Sequence, residues 1–167
     1  KVKLTVMLYR CYEALMKERG LEAESLDDFL FWGDIILSDF DDIDKYLVDP
    51  GRLLSNVADF KALQDPMDYM SEAQAEALGR FLSHFSTPGV YKDSFLKLWE
   101  ILLPLYRSFS AALADEGLSY EGAVYRDVAG RLSSQSATDV MKEAFPETEV
   151  FVFVGLNALN ECEKKLM

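Results

Sequence analysis

The residues best suited to chemistry lie in one run, Asp39, Asp41, Asp42 and Asp44. Closely spaced carboxylates can hold a divalent cation or exchange a proton, and the spacing tests both uses. A calcium loop begun at Asp39 needs an acid or amide at position 43 and glycine at 44, where Ile43 and Asp44 stand. Asp41-Asp42 followed by Asp44 and Lys45 also misses the DDxxD pattern that carries magnesium and diphosphate. His84 is the single histidine, read as a satisfied or surface residue, with no second histidine for a metal site. Cys11 and Cys162 match no CxxC or Cys/His ligand spacing. Cys11 reads as a small buried hydrophobe, with a disulfide to Cys162 as the alternative. No serine sits in GxSxG, and no glycine begins GxxxxGK[ST] or GxGxxG. The sequence thus nominates no catalytic residue, no metal ligand, no cofactor and no small-molecule substrate.

The element that carries the aspartates is read as a helix over 29–48. At 100° per residue, Phe29, Trp32, Ile36, Phe40, Ile43 and Leu47 fall within roughly 80° of one another, a narrow core-facing seam. Asp34, Asp41 and Asp42 point away from it, toward solvent. Asp39 and Asp44 lie at its two edges, where each calls for a basic or backbone partner. Gly33 leaves room for a bend or for another backbone to approach. Before this helix, residues 2–19 carry Leu4, Met7, Leu8, Cys11, Tyr12 and Leu15 at helical steps, closed by Gly20.

Further helices are expected over 52–63, behind a Ser71-x-x-Gln74 capping box to about 85, over 93–114 with a kink near Pro104, and from the Ser119 cap to Arg131. Residues 133–149 read as a mobile polar connection with a helical turn over 138–144. Val150 to Val154 are five consecutive apolar residues ending at Gly155, the one convincing strand, followed by a helix from about Leu159. Apolar on both faces, such a strand needs neighbours, and this chain offers none. The fold class is therefore mainly α, a bundle of about six to seven helices with one C-terminal β-strand. A helical domain spans 1–132, and 150–167 is a strand-turn-helix re-entering an α/β core. The orphan strand and the missing initiator Met point to an excised piece of a larger protein.

Charge narrows the partners. The chain carries a formal net charge of -12, with ten acids against Lys45 alone between Glu22 and Asp49. Its first nineteen residues are basic by contrast, so the first two helices are expected to pair as a charge-complementary hairpin. A broad nucleic-acid surface normally shows a basic footprint, which this balance opposes. Half of the residues are hydrophobic, enough for a folded core. No signal peptide or long apolar run points to secretion or a membrane, so a cytoplasmic setting is expected.

Three stretches carry a resemblance. They are Trp32-Gly33 with Asp39, Phe40, Asp42 and Asp44; Tyr120, Gly122 and Arg126 after the Trp99 to Tyr106 stripe; and Val152 to Val154 with Gly155, Leu156, Asn157 and Glu163. In this order the chain resembles the N-terminal, helicase-like part of bacterial PD-(D/E)XK nuclease-family proteins related to the AddB subunit of AddAB helicase-nucleases. The resemblance implies a segment like the 1B subdomain of superfamily-one helicases, within a parent acting on DNA ends in recombinational repair. It implies that the nuclease residues lie outside this chain and that the partners are the rest of the parent polypeptide and, through it, DNA. Where active helicases end a strand in an acidic pair, AddB-type proteins often show Asp-Gly-Phe with a glutamate beyond. Glu163 matches that glutamate, but Val154 replaces the Asp, which implies no ATP hydrolysis. Lys92, Lys97, Arg107, Arg126 and Arg131 are the candidate DNA contacts. The alternative is a free-standing acidic helical interaction module, and a metal-dependent hydrolase built on the aspartates is third.

Overall fold

The computed structural model describes residues 2–54, 90–155 and 157–167, with backbone alone for residues 31 and 90–99. They are mainly helical: α1 (Val2–Glu18), α2 (Leu26–Lys45), α3 (Val90–Asp115), α4 (Glu121–Arg131), α5 (Ala137–Ala144) and α6 (Glu161–Leu166). Residues 50–54 are helical too. The expected capping-box helix, His84 and most of the 52–63 helix lie outside the described residues. The chain divides into one compact unit of Lys1–Asp49 with Phe109–Met167 and another of Pro50–Ser108. The first unit holds every element that builds the site below.

Local signals account for the helices of that unit. On α1, Met7, Leu8, Cys11 and Tyr12 are buried at the expected three- and four-residue steps. Gly20, at φ 66°, closes α1 as a Schellman turn, with Leu21 N–H bonding Met16 C=O at 2.9 Å and Gly20 N–H bonding Lys17 C=O at 3.0 Å. Gly117 closes α3 in the same way. Ser25 caps α2 by accepting from Asp28 N–H. α3 runs unbroken through Pro104.

The seam of α2 is observed: Phe29, Ile36, Phe40 and Ile43 are buried, and with Ile36 so is its neighbour Leu37. Its first half packs on α1 through rings, Tyr9 against Phe29 at 5.2 Å and Tyr12 against Trp32 at 5.1 Å, edge to face. A hydrogen bond of 3.0 Å from Thr5 Oγ1 to Asp34 joins the two helices, so Asp34 is turned toward α1 rather than out to solvent. The space beside Gly33 is filled by a side chain rather than a backbone, since an added Cβ would lie 2.5 Å from the Phe29 ring.

Three expectations are corrected. The helix over 29–48 ends at Lys45, and Leu47 leaves the seam in the left-handed region at φ 54°. Ser119 does not cap α4; the cap position is Tyr120, which makes no side-chain cap bond. The expected strand is absent, since residues 150–155 carry no regular structure and Val150, Val152 and Val154 are exposed. An extended apolar run becomes a strand only where another backbone takes up its N–H and C=O groups, and no described residue does so. The 133–149 connection resolves into turns and the capped helix α5, whose first turn bonds Ser136.

Candidate functional site

One cluster of bonded polar groups surrounds the buried Asp44, supplied by the last turn of α2, the first two turns of α4, and α6. Positions 41, 44 and 45 share one face of α2 by the i, i+3, i+4 rule, as do 121, 122, 125 and 126 on α4. The close approach of the two helices is permitted by Gly122, where an added Cβ would lie 2.3 Å from the Asp41 carbonyl oxygen.

Asp44 is the centre, 1% exposed. Its Oδ1 accepts from Arg126 Nε at 2.6 Å and its Oδ2 accepts from the Tyr120 hydroxyl, while the Cys162 thiol donates to its main-chain oxygen at 3.3 Å. Both oxygens of this buried carboxylate are thus engaged by donors of the chain itself. Tyr120 in turn stacks on Phe109, with rings 5.9 Å apart and 7° from parallel.

The two helices cap each other. Asp41 Oδ1 accepts from Gly122 N–H at 2.6 Å, so a carboxylate from α2 does the work that no side chain of Tyr120 does at the start of α4. In return Arg126 Nη2 donates to the carbonyls of Ile43, at 2.8 Å, and Val48, at 2.6 Å, where α2 ends. These bonds bracket Leu47 and hold a turn usually given to glycine. Lys45 lies 2.8 Å from Asp41 and 2.9 Å from Glu121, with its amine 5.6 Å from the centre of the Tyr125 ring. The hydrogen bond to Asp41, and after it the one to Glu121, holds the Lys45 amine above the ordinary lysine range. Burial pushes the Cys162 thiol up, against a lowering by Arg126.

Of the residues singled out in sequence, Asp44, Tyr120, Gly122 and Arg126 meet here. Trp32 and Gly33 sit about 18 Å away along α2, where Trp32 Nε1 donates to Glu24 at 2.9 Å. Phe40 is core, and Asp39 and Asp42 are exposed. Asp39, expected to need a partner, instead has its carboxyl lifted above the usual range, first by desolvation and then by the charge of Asp42. Gly155 turns the chain at φ 78°, Asn157 is exposed, and Leu156 lies outside the described residues. Glu163 completes a capping box with Asn160, its Oε2 accepting from Asn160 N–H at 2.9 Å, so its carboxylate serves a helix start.

The candidate DNA contacts fall in both compact units. Arg126 is turned inward, Arg131 pairs with Glu143, Arg107 is exposed in the other compact unit, and the side chains of Lys92 and Lys97 lie outside the described residues. Sequence reading missed Lys45, Glu121, Tyr125 and Cys162 as members of the cluster. The i, i+4 pairs Asp41–Lys45 and Glu121–Tyr125 were its one local trace. Both cysteines are buried and free, so the disulfide alternative is not formed. Among the described residues no group of three or more His, Cys, Asp or Glu is arranged to hold a metal ion, and no helix is long and apolar enough to cross a membrane.

Comparison with protein-family models, with curated proteins and with solved structures finds no match for this chain.

Proposed function

We propose that this chain is a non-catalytic helical segment of a larger AddB-like protein of the PD-(D/E)XK nuclease family, a scaffold or DNA-guiding element in the processing of DNA ends. The observation that carries the reading is the convergence of Asp44, Tyr120, Gly122 and Arg126. Asp44 bonds Tyr120 and Arg126, 76 and 82 positions away, and Gly122 N–H donates to Asp41 beside them. A signature that holds two helices together behaves as a fold signature, in keeping with a scaffold. On this reading residues 150–155 lead into the α/β core of the parent, the nuclease carboxylates lie elsewhere in it, and the whole works in the cytoplasm. With Val154 at the position of the acidic residue and Glu163 engaged in a cap, the segment does not hydrolyse ATP.

The test is the native polypeptide, detected in its own cells with an antibody to this chain and purified by it. A species several-fold longer than 167 residues with magnesium-dependent nuclease activity is expected. A native species of this length without nuclease activity overturns the reading. ATPase activity of the purified protein that disappears on substituting Glu163 overturns the non-hydrolysing part alone.

One observation favours the second reading, an acidic helical interaction module: the bare valines of the 150–154 segment.

A further inference from the structure

Helix α6 is held to its unit by little. It has six residues, of which Cys162 is the buried one, while Glu161, Lys164 and Lys165 are exposed. Among the described residues, two side-chain bonds tie it to the rest: the Cys162 thiol to the Asp44 carbonyl at 3.3 Å, and Lys165 Nζ to the exposed Ser133 Oγ at 3.0 Å. Neither is costly to lose. A thiol is a weak donor, and the Asp44 carbonyl also accepts from Leu47 N–H at 3.1 Å, so it keeps a partner without Cys162. The stretch before α6 adds no anchor, since the main-chain bonds of its described residues, Thr148 to Phe145 and Asn157 to Gly155, are local. Beneath α6, the Asp44 carboxylate is held by Arg126 and Tyr120, and neither bond passes through α6.

We propose that α6 is a strap that lifts as a unit from α4 and the end of α2 while the Asp44 junction beneath it stays formed, opening the Cys162 thiol and the Asp44 carbonyl to solvent. A helix this short does not hold itself together in water, where about 12 residues or more are needed, so α6 exists by docking. It docks through one buried side chain, and a segment with few buried contacts is the first to open. The end of α2 does not follow, because Arg126 holds the Ile43 and Val48 carbonyls and Asp41 holds Gly122 N–H. The two cysteines then differ in a way that their burial does not show. Cys11 is 8% exposed in the 17-residue α1 and Cys162 is 5% exposed in α6, yet Cys162 is the one that becomes reactive. Burial pushes its thiol up, so its reaction waits on opening. This inference stands on α6 and its contacts, whether or not the DNA-end reading holds.

The test labels the full chain with N-ethylmaleimide under native conditions and follows each cysteine by mass spectrometry of its peptide. Cys162 is expected to react about a hundredfold or more faster than Cys11, because its opening is local. Its rate should hardly change up to about 1 M urea, whereas that of Cys11 should climb, since opening α1 exposes core surface. Asn160→Ala, which removes the capping box of α6, should speed the labelling of Cys162 about fivefold. A chain labelled at Cys162 alone should still unfold in one cooperative transition. Equal rates for the two thiols, a Cys162 rate as steep in urea as that of Cys11, a Cys162 rate indifferent to Asn160→Ala, or loss of the cooperative transition on labelling Cys162 each overturns the proposal.

Discussion

At the scale of single residues, the cluster is held by charge that is buried and matched. Removing one partner of such a pair costs more than the pair contributes, because the other is left charged and desolvated. Arg126→Met, which removes the cation beside buried Asp44, is expected to lower stability by about 3–5 kcal/mol in urea unfolding. Tyr120→Phe, which deletes one hydrogen bond and keeps the ring stack on Phe109, should cost about 1–2 kcal/mol. Asp39 works in the other direction. Its carboxyl is raised above the usual range by desolvation and by Asp42, so the folded chain binds this proton more tightly than the unfolded one. Stability is therefore lost as pH rises from the unfolded value of 3.8 through the raised one. Asp39→Asn should raise the melting temperature at pH 7 and give no advantage at pH 3, where both forms are neutral. A gain that persists at pH 3 would point to a cause other than charge.

At the scale of elements, α4 contains two glycines with opposite roles. Gly122 stands where α4 meets the Asp41 carbonyl, and Gly122→Ala must push the helices apart, at about 2 kcal/mol or more. Gly130 faces open space on the same helix, so Gly130→Ala should stabilise by about 0.5–1 kcal/mol through helix propensity and a less free unfolded chain. Thermal unfolding of the two variants checks both signs. Helix ends show how much of the fold is local. Gly20 and Gly117 mark the ends of α1 and α3 in the sequence as in the structure. Leu47 carries no such mark, and the turn it makes is held from α4 by Arg126.

At the scale of the molecule, the balance of charge dominates. A formal net charge of -12 opposes compaction, and many of the ion pairs, such as Lys3 with Glu116, are largely exposed. Raising sodium chloride from about 10 to about 200 mM shortens the Debye length from about 30 Å to under 10 Å. It should raise the melting temperature, since it screens long-range repulsion more than it weakens a buried pair such as Asp44–Arg126. A melting temperature that falls with salt would show instead that exposed pairs dominate stability.

The sequence by itself determined the helices and the seam of α2, because helical periodicity, caps and terminating glycines act within a few residues of one another. It also marked Asp44, Tyr120, Gly122 and Arg126, but not as neighbours. Asp44 bonds partners 76, 82 and 118 positions away, and nothing in the local pattern distinguishes it from exposed Asp42. Only the packing of α4 on α2 brought one aspartate of the run to the core, turned another into a cap, and set Arg126 against Asp44. The same reason governs residues 150–154. A helix satisfies its backbone within itself, whereas a strand exists only beside another, so an apolar alternation can propose a strand but tertiary structure decides whether one forms.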